Sequence, residues 1–311
     1  MNRDFEQLDW NDAVAADCRR LVRMALEEDL AGQRDLTTAA LTPAERRGAA
    51  DVVAREPGIV AGMPLLPIVV AEAGFGLSIE HFVHDGDVVE GGAILATIRG
   101  LAAEILTAER TILNLLGHMM GVATRTGLFV AEIAGTKARL YDTRKTTPGW
   151  RRLEKYAVRC GGGFNHRLGL YDAVLIKDNH LALAAEATKG RFGPGDAVRQ
   201  AREFLQGVMG ANAGAPAEAI VEVEVDSLEQ LRKALPAGPD IVLLDNMSLE
   251  ELCDAVRLRN EAAPGVELEA SGGVRLDTVR EIAATGVDRI SVGGLTHSAV
   301  ALDVALDWRT G

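Results

Sequence analysis

Hydrophobic and polar positions change their rhythm twice along the chain. Behind Asn11 and Asp12, apolar residues recur every three or four positions, which predicts an amphipathic helix near 13–30 capped by one of those side chains. The next stretch alternates. "AADVVAREPGIVAG" and "SIEHFVHDGDVVEGGAILATIRG", broken by Asp-Gly and Gly-Gly, predict short strands and tight turns, with a helix in "PLLPIVVAEAG" between them. A long helix follows over roughly 101–134, with Gly117 and Gly121 as candidate breaks. From about residue 138, short apolar runs alternate with helical segments: "ARLYDT", "DAVLIKD", "AIVEVEVD", "DIVLLDN", "VELEASGG" and "RISVGG". That is the rhythm of a parallel sheet. Short connections favour a closed or nearly closed α/β barrel, with a doubly wound open sheet as the alternative.

Composition narrows the setting. The 311 residues suffice for one large domain or two smaller ones, and no fixed-period repeat, low-complexity segment or long linker interrupts them. Cys18, Cys160 and Cys253 lie far apart without CxxC spacing, which argues against a disulfide framework and a structural zinc site. A reducing cytoplasm is the simplest setting. The N-terminus has no apolar signal core and no run of 18 apolar residues occurs, so neither secretion nor a membrane span is expected. A net charge of -12 argues against non-specific binding to nucleic acid.

Against that acidic background one region stands out. From Lys137 to Arg167 there are nine Lys or Arg and two acids, Asp142 and Glu154. Arg151, Arg152, Lys155 and Arg159 fall at helical spacing after Pro148-Gly149 and read as a solvated helix face. Arg144 and Lys145 sit side by side in a loop-like stretch and read instead as a small-anion site.

The ends of the six apolar runs carry the chemistry. In order they deliver Arg144-Lys145, Lys177-Asp178-Asn179-His180, Glu222 with Glu224, Asp245-Asn246, Ser271-Gly272-Gly273 and Gly293-Gly294. In α/β barrels the active site is built at the C-terminal strand ends. Alternation places Glu222 and Glu224 on one strand face, with Val221, Val223 and Val225 on the other. Interior carboxylates need an ion-pair partner or a metal. The two Gly-Gly pairs suit phosphate, because glycine lets backbone N–H groups approach phosphate oxygens. Arg167 can hold a carboxylate in a two-pronged grip, and His166 can donate to an acid or brace its loop. His81 and His84 read as surface residues, and Met119-Met120 as core filler. A small polycarboxylate and a phosphorylated sugar fit this inventory as a substrate pair.

"DTRKTTPGWRRLEKYAVRCGGGFNHRLGLYDAVLIKDNH" resembles the signature of the quinolinate phosphoribosyltransferases, the carboxylating nicotinate-nucleotide pyrophosphorylases. The resemblance runs nearly the whole chain through "EEDLAGQRDLTT", "REPGIVAG", "AERTILNLLGHMMGVAT", "VEVEVDSLEQ", "VLLDNM", "EASGGV" and "ISVGGLTHS". It implies an N-terminal α/β sandwich domain over 1–113, to which a tail over 298–311 returns. An incomplete, open parallel α/β barrel would cover 114–297. It implies transfer of phosphoribosyl from phosphoribosyl pyrophosphate to quinolinate with loss of CO2, giving nicotinate mononucleotide, with Mg2+, in de novo NAD synthesis. By matching motifs, Arg144, His166, Arg167 and Lys177 would hold quinolinate. Arg110 would join them from the neighbouring subunit of a homodimer or a dimer-based higher oligomer. Lys145, Glu224 and Asp245 would be the catalytic residues, contacting phosphoribosyl pyrophosphate, with Glu224 and Asp245 toward the metal. Ser271, Gly272, Gly273, Gly293 and Gly294 would cradle its 5′-phosphate. Two rival readings remain at this point: a Schiff-base aldolase using Lys177, and a non-catalytic phosphosugar-binding module.

Overall fold

Local signals set the element boundaries. In α1 (Asp12–Leu30) the Asn11 side chain accepts from the backbone N–H groups of Ala13 and Val14, both at 3.0 Å, and Ala31 ends the helix at a positive φ of 46°. The structure is a computed structural model and describes residues 4–187, 191–211 and 219–309. After α1 come α2 (Leu36–Leu41), β1 (Arg47–Ala54), β2 (Gly58–Ile59), α3 (Leu65–Ala73), β3 (Ser78–His81), β4 (Val88–Val89), β5 (Ile94–Leu101) and α4 (Ala102–Glu132). The chain continues through β6 (Arg139–Tyr141), α5 (Arg151–Cys160), β7 (Val174–Ile176), α6 (Asp178–Ala187), α7 (Pro194–Ala211), β8 (Val221–Val225) and α8 (Leu228–Ala234). It ends with β9 (Ile241–Asp245), α9 (Leu249–Ala262), β10 (Glu267–Ser271), α10 (Val279–Ala284), β11 (Arg289–Ser291), α11 (Gly294–His297) and β12 (Val304–Trp308). None of the helices among the described residues is long and apolar enough to cross a membrane.

Two compact units emerge, each assembled from separate stretches of chain. The first takes residues within 4–6, 129–144 and 164–292. Its six strands are the six apolar runs, all parallel, in the order β6-β11-β10-β9-β8-β7. The last strand in sequence pairs with the first, as in a barrel, but the first and second do not pair. The sheet is therefore an incomplete barrel with one open seam. Phe164 makes a single parallel bridge to Tyr141 along that side. Phe5, Tyr141, Ala173, Ile220 and Ile241 form a core cluster, with Phe164 against it. The fully buried Arg289 guanidinium lies 4.4 Å from the Tyr141 ring centre and 5.4 Å from that of Phe5. Its charge is met by Glu267 and, at 2.9 Å, by Asp4. A buried arginine is tolerable only with such partners.

The second unit takes residues within 7–128, 145–163 and 293–309. It holds a four-stranded antiparallel sheet in the order β12-β1-β5-β3. The final strand, β12, thus lies along β1. Here α4 departs from expectation, because it runs unbroken through Gly117 and Gly121. These glycines serve close approach. A Cβ on Gly121 would lie 2.1 Å from the Val300 carbonyl oxygen, and one on Gly117 2.8 Å from that of Leu302. Met119 and Met120 are fully buried, and His81 and His84 are exposed, as read from the sequence.

Candidate active site

In the first unit, the strand register brings acids together. Ser271 pairs with Asp245 across β10 and β9, and Glu224 pairs with Leu243 across β8 and β9. Asp178, Glu224, Asp226 and Asp245 line one cavity of about 370 Å³. Lys177 follows β7 directly, and its ammonium forms an ion pair with Glu224. Two residues the sequence reading gave to different ligands therefore share one salt bridge. Beside them the chain turns on Asn246, at φ 54°, whose N–H donates to the Ser271 carbonyl at 2.9 Å. Gly272, at φ 93°, fits against this turn; a Cβ there would lie 2.2 Å from Asn246 Oδ1.

Beyond β6 the buried Asp142 carboxylate accepts from Asn165 Nδ2 at 2.7 Å and from the His166 N–H at 2.9 Å. This fixes the segment that carries His166 and Arg167. His166 Nδ1 accepts from the Arg167 N–H at 2.8 Å, so the ring's hydrogen sits on Nε2. Nε2 lies 3.1 Å from Glu222 and 3.6 Å from Glu269. The ring stacks on Phe5 with centroids 4.2 Å apart. Arg167 is buried and donates to the Ala173 carbonyl at 3.1 Å. Burial, and then the neighbouring Arg144 guanidinium, hold its pKa below the usual arginine value. Two guanidiniums that repel each other in a partly dry setting favour an anion between them. Glu222, whose interior carboxylate needs an ion-pair partner or a metal, faces the His166 Nε2–H at 3.1 Å.

The second unit carries the rest. The Lys145 carbonyl accepts from Thr296 Oγ1 at 2.7 Å. A Cβ on Gly293 would come within 2.8 Å of Lys145 Cδ, so the lysine stem lies across this glycine. The buried Glu154 accepts from the Thr147 N–H at 3.0 Å and meets His118 Nε2 at 2.9 Å, which braces the loop after Lys145. The basic residues of α5 are not a solvated face. Lys155 is fully buried, Arg152 binds Asp17 at 2.8 Å, and Arg159 donates to the Gly163 carbonyl at 2.6 Å. The Arg152 partner lies on α1 and that of Arg159 in the turn after α5, where helical spacing gives no hint of them. Arg110 is exposed on α4 and lines a hollow of about 520 Å³ with Gln33, Arg34 and Asp35.

Comparison with known proteins supplies the deciding observation. The model of the quinolinate phosphoribosyl transferase C-terminal domain matches residues 122–307, and that of its N-terminal domain matches residues 35–120. The chain belongs to the quinolinate phosphoribosyltransferase family. A nicotinate-nucleotide pyrophosphorylase (carboxylating) of Mycobacterium leprae is 46% identical over 292 residues, covering 93% of this chain and 96% of the relative. A protein named as a probable enzyme of the same kind from Methanothermobacter thermautotrophicus is 40% identical, covering 93% and 98%. The solved nicotinate-nucleotide pyrophosphorylase of Francisella tularensis superposes with a TM-score of 0.86 at 36% identity, covering 98% of this chain and all of that one.

As a member of the quinolinate phosphoribosyltransferase family, the chain is an enzyme of phosphoribosyl transfer. The sequence reading missed several groups near these family motifs. Glu269 is one, although "VELEAS" alternates as "VEVEV" does and carried the same signal. Asp226 is another: it lines the cavity of Glu224 and Asp245, together with the strand-end Asp178, from a position just past β8. Arg125 Nη2 lies 3.5 Å from where a Gly294 Cβ would stand, and nothing in "GVATRTG" signals it.

Proposed function

We propose that the chain transfers phosphoribosyl from phosphoribosyl pyrophosphate to quinolinate, releasing pyrophosphate and CO2 and giving nicotinate mononucleotide for NAD biosynthesis. The observation that carries this reading is a pair of like-charged arginines and an acid-lined cavity within one unit. Arg144 and Arg167 form a cationic pair, and Glu224 and Asp245 share a cavity wall with further acids.

In this reading Arg144 and Arg167 grip the quinolinate carboxylates, with Lys177 and His166 beside them. Orientation is their main contribution, since it turns a two-body encounter into an aligned attack. The ring nitrogen attacks ribose C1 as the C1–oxygen bond to pyrophosphate breaks. Positive charge builds at C1, as in glycoside cleavage. The Glu224 and Asp245 carboxylates offset it. The new C1–N bond leaves a cationic ring nitrogen. That nitrogen accepts the electron pair when the adjacent carbon–carboxylate bond breaks, CO2 departs, and the ring carbon takes a proton. Lys145 faces the phosphoribosyl pyrophosphate, and Ser271, Gly272, Gly273, Gly293 and Gly294 hold its 5′-phosphate through backbone N–H groups.

Magnesium fits the donor set, because Mg2+ takes one or two carboxylates together with substrate phosphates and keeps several waters. Glu224 and Asp245 would hold it, and it would neutralise the leaving pyrophosphate. We further propose a homodimer in which Arg110 completes the neighbouring subunit's quinolinate site, a cytoplasmic location, and a domain boundary near residue 113. The test of the reaction is incubation with quinolinate, phosphoribosyl pyrophosphate and Mg2+, following nicotinate mononucleotide and CO2, with nicotinate as control substrate. Product from quinolinate alone supports the reading. Binding of phosphoribosyl pyrophosphate without product from quinolinate refutes it.

A further inference from the structure

Glu222 and Glu269 are both fully buried, and no well-aligned hydrogen bond reaches any of their four carboxylate oxygens. Together with His166 they bring one ligand-type atom each within 4.8 Å of one another. Two carboxylates this close and this dry are costly unless something compensates them. A metal ion is one candidate, and the Nε2 distances of 3.1 and 3.6 Å would suit coordination. The imidazole excludes it. Nδ1 already accepts the Arg167 N–H, so Nε2 carries the hydrogen and has no lone pair to give a metal. The cluster is instead an N–H that faces two carboxylates at 3.1 and 3.6 Å without an aligned hydrogen bond to either.

Its neighbours show what it serves. His166 is joined to the next residue by that hydrogen bond, and Arg167 is the buried arm of the arginine pair. Glu222 is an opposite charge acting on Arg167, while Arg144 acts on it as a like charge. Glu269 sits behind Glu222, with Ser291 and Arg289 within its influence. Burial first and Glu222 second raise the Glu269 pKa, which is the response of a carboxyl pressed against another.

We propose that Glu269 is a positioning residue for quinolinate: with Glu222 it supplies the negative charge that faces the His166 Nε2–H at 3.1 and 3.6 Å, and His166 in turn sets the peptide and guanidinium of Arg167. The proposal rests on the reading that Arg167 grips a quinolinate carboxylate. His166 then acts through Arg167, since both its ring nitrogens are engaged by protein groups.

The test is steady-state kinetics on Glu269→Ala, Glu269→Gln and Glu269→Asp, with Arg167→Ala in parallel, plus 15N NMR of the imidazoles. Glu269→Ala should raise the quinolinate KM about 5- to 10-fold, the scale of losing one modest polar contact. The phosphoribosyl pyrophosphate KM should stay unchanged. Glu269→Gln should recover most of the loss, because its amide oxygen keeps a partial negative charge facing Nε2–H, and the His166 spectrum should keep the Nε2–H tautomer. If Glu269→Ala does not fold, Glu269→Asp, which withdraws the acceptor by one methylene, should raise the same KM. An unchanged quinolinate KM, equal rises in both KM values, or no recovery in Glu269→Gln would overturn the proposal. An unchanged quinolinate KM in Arg167→Ala would instead remove the reading beneath it.

Discussion

Gly121→Ala separates two opposed effects that the same substitution combines. In a helix interior, alanine is favoured over glycine by about 1 kcal/mol. At Gly121 the added methyl would stand 2.1 Å from the Val300 carbonyl oxygen, 2.9 Å from its carbon and 3.0 Å from Ala301 Cα. Relaxed contacts need about 3.5–4.0 Å. All three atoms are backbone, so no side chain can swing away. The segment over α4 must retreat by more than 1 Å, on the scale of that contact shortfall. Retreat stretches the 2.9 Å hydrogen bond from the Leu302 N–H to the Gly117 carbonyl, which contributes about 1 kcal/mol. It also loosens the buried Leu302, whose full burial is worth about 1.5–3 kcal/mol. After the gain in propensity, a net loss of about 1–3 kcal/mol is expected, as for other overpacked sites. Gly207→Ala is the control. It makes the same change in α7, where no atom among the described residues lies within 4 Å of the new Cβ, and should gain about 1 kcal/mol. Thermal denaturation of both variants beside the parent gives the comparison. The reasoning fails if Gly121→Ala melts as high as Gly207→Ala.

Four further outcomes are expected. By calorimetric titration, Arg144→Ala should weaken quinolinate about 10- to 100-fold with little effect on phosphoribosyl pyrophosphate, and Lys145→Ala should do the reverse; equal losses for both ligands would contradict the division. Mixing Arg110→Ala subunits with Lys145→Ala subunits should restore about a quarter of native activity, because half of the dimers are mixed and each holds one intact site; no recovery would place Arg110 outside a shared site. Gly272→Ala puts a side chain at φ 93° and 2.2 Å from Asn246 Oδ1, so KM for phosphoribosyl pyrophosphate should rise while that for quinolinate holds, read from initial rates. Glu269 has its pKa pushed up to about 7 by burial and Glu222, with His166, Ser291 and Arg289 opposing. The folded state then keeps a proton that the unfolded chain releases near the ordinary glutamate value. Stability should fall by something on the order of 3 kcal/mol as pH rises through that window, and urea titrations of Glu269→Gln should lack the slope.

The six parallel strands lie where the apolar runs predict because such a strand is a local signal: a few branched residues followed by the group it presents. The α1 cap, the buried Met119-Met120 pair and the family motifs were legible for the same reason. What escaped depended on partners far along the chain. Lys155 reads as surface from its own helix and is buried. Gly117 and Gly121 read as helix breakers until residues 300–302 are seen crossing them. His166 reads as a ligand contact or a brace; Glu222 and Glu269, on two different strands, face its Nε2, while the Arg167 N–H meets its Nδ1. Glu269 carries a local signal equal to that of Glu222, but the glycine pair just after it reads as a phosphate site.

The pairing of β12 with β1 has a consequence for how the protein is made. Ala50 faces Trp308, so one flank of β1 stays open until about 250 further residues have been synthesised. At about 5–20 residues per second that wait is on the order of ten to fifty seconds. An open strand edge invites pairing with another nascent chain. This edge carries charge: Asp51 and Arg55 are answered by Arg309 and Asp307, which arrive with β12. Charges that discourage a wrong neighbour thus become the contacts that admit the right one. Gly48 leaves the space that the Trp308 ring fills when it does. A chain ended before β12 would keep that edge charged and open, and it should associate with copies of itself rather than finish its own sheet.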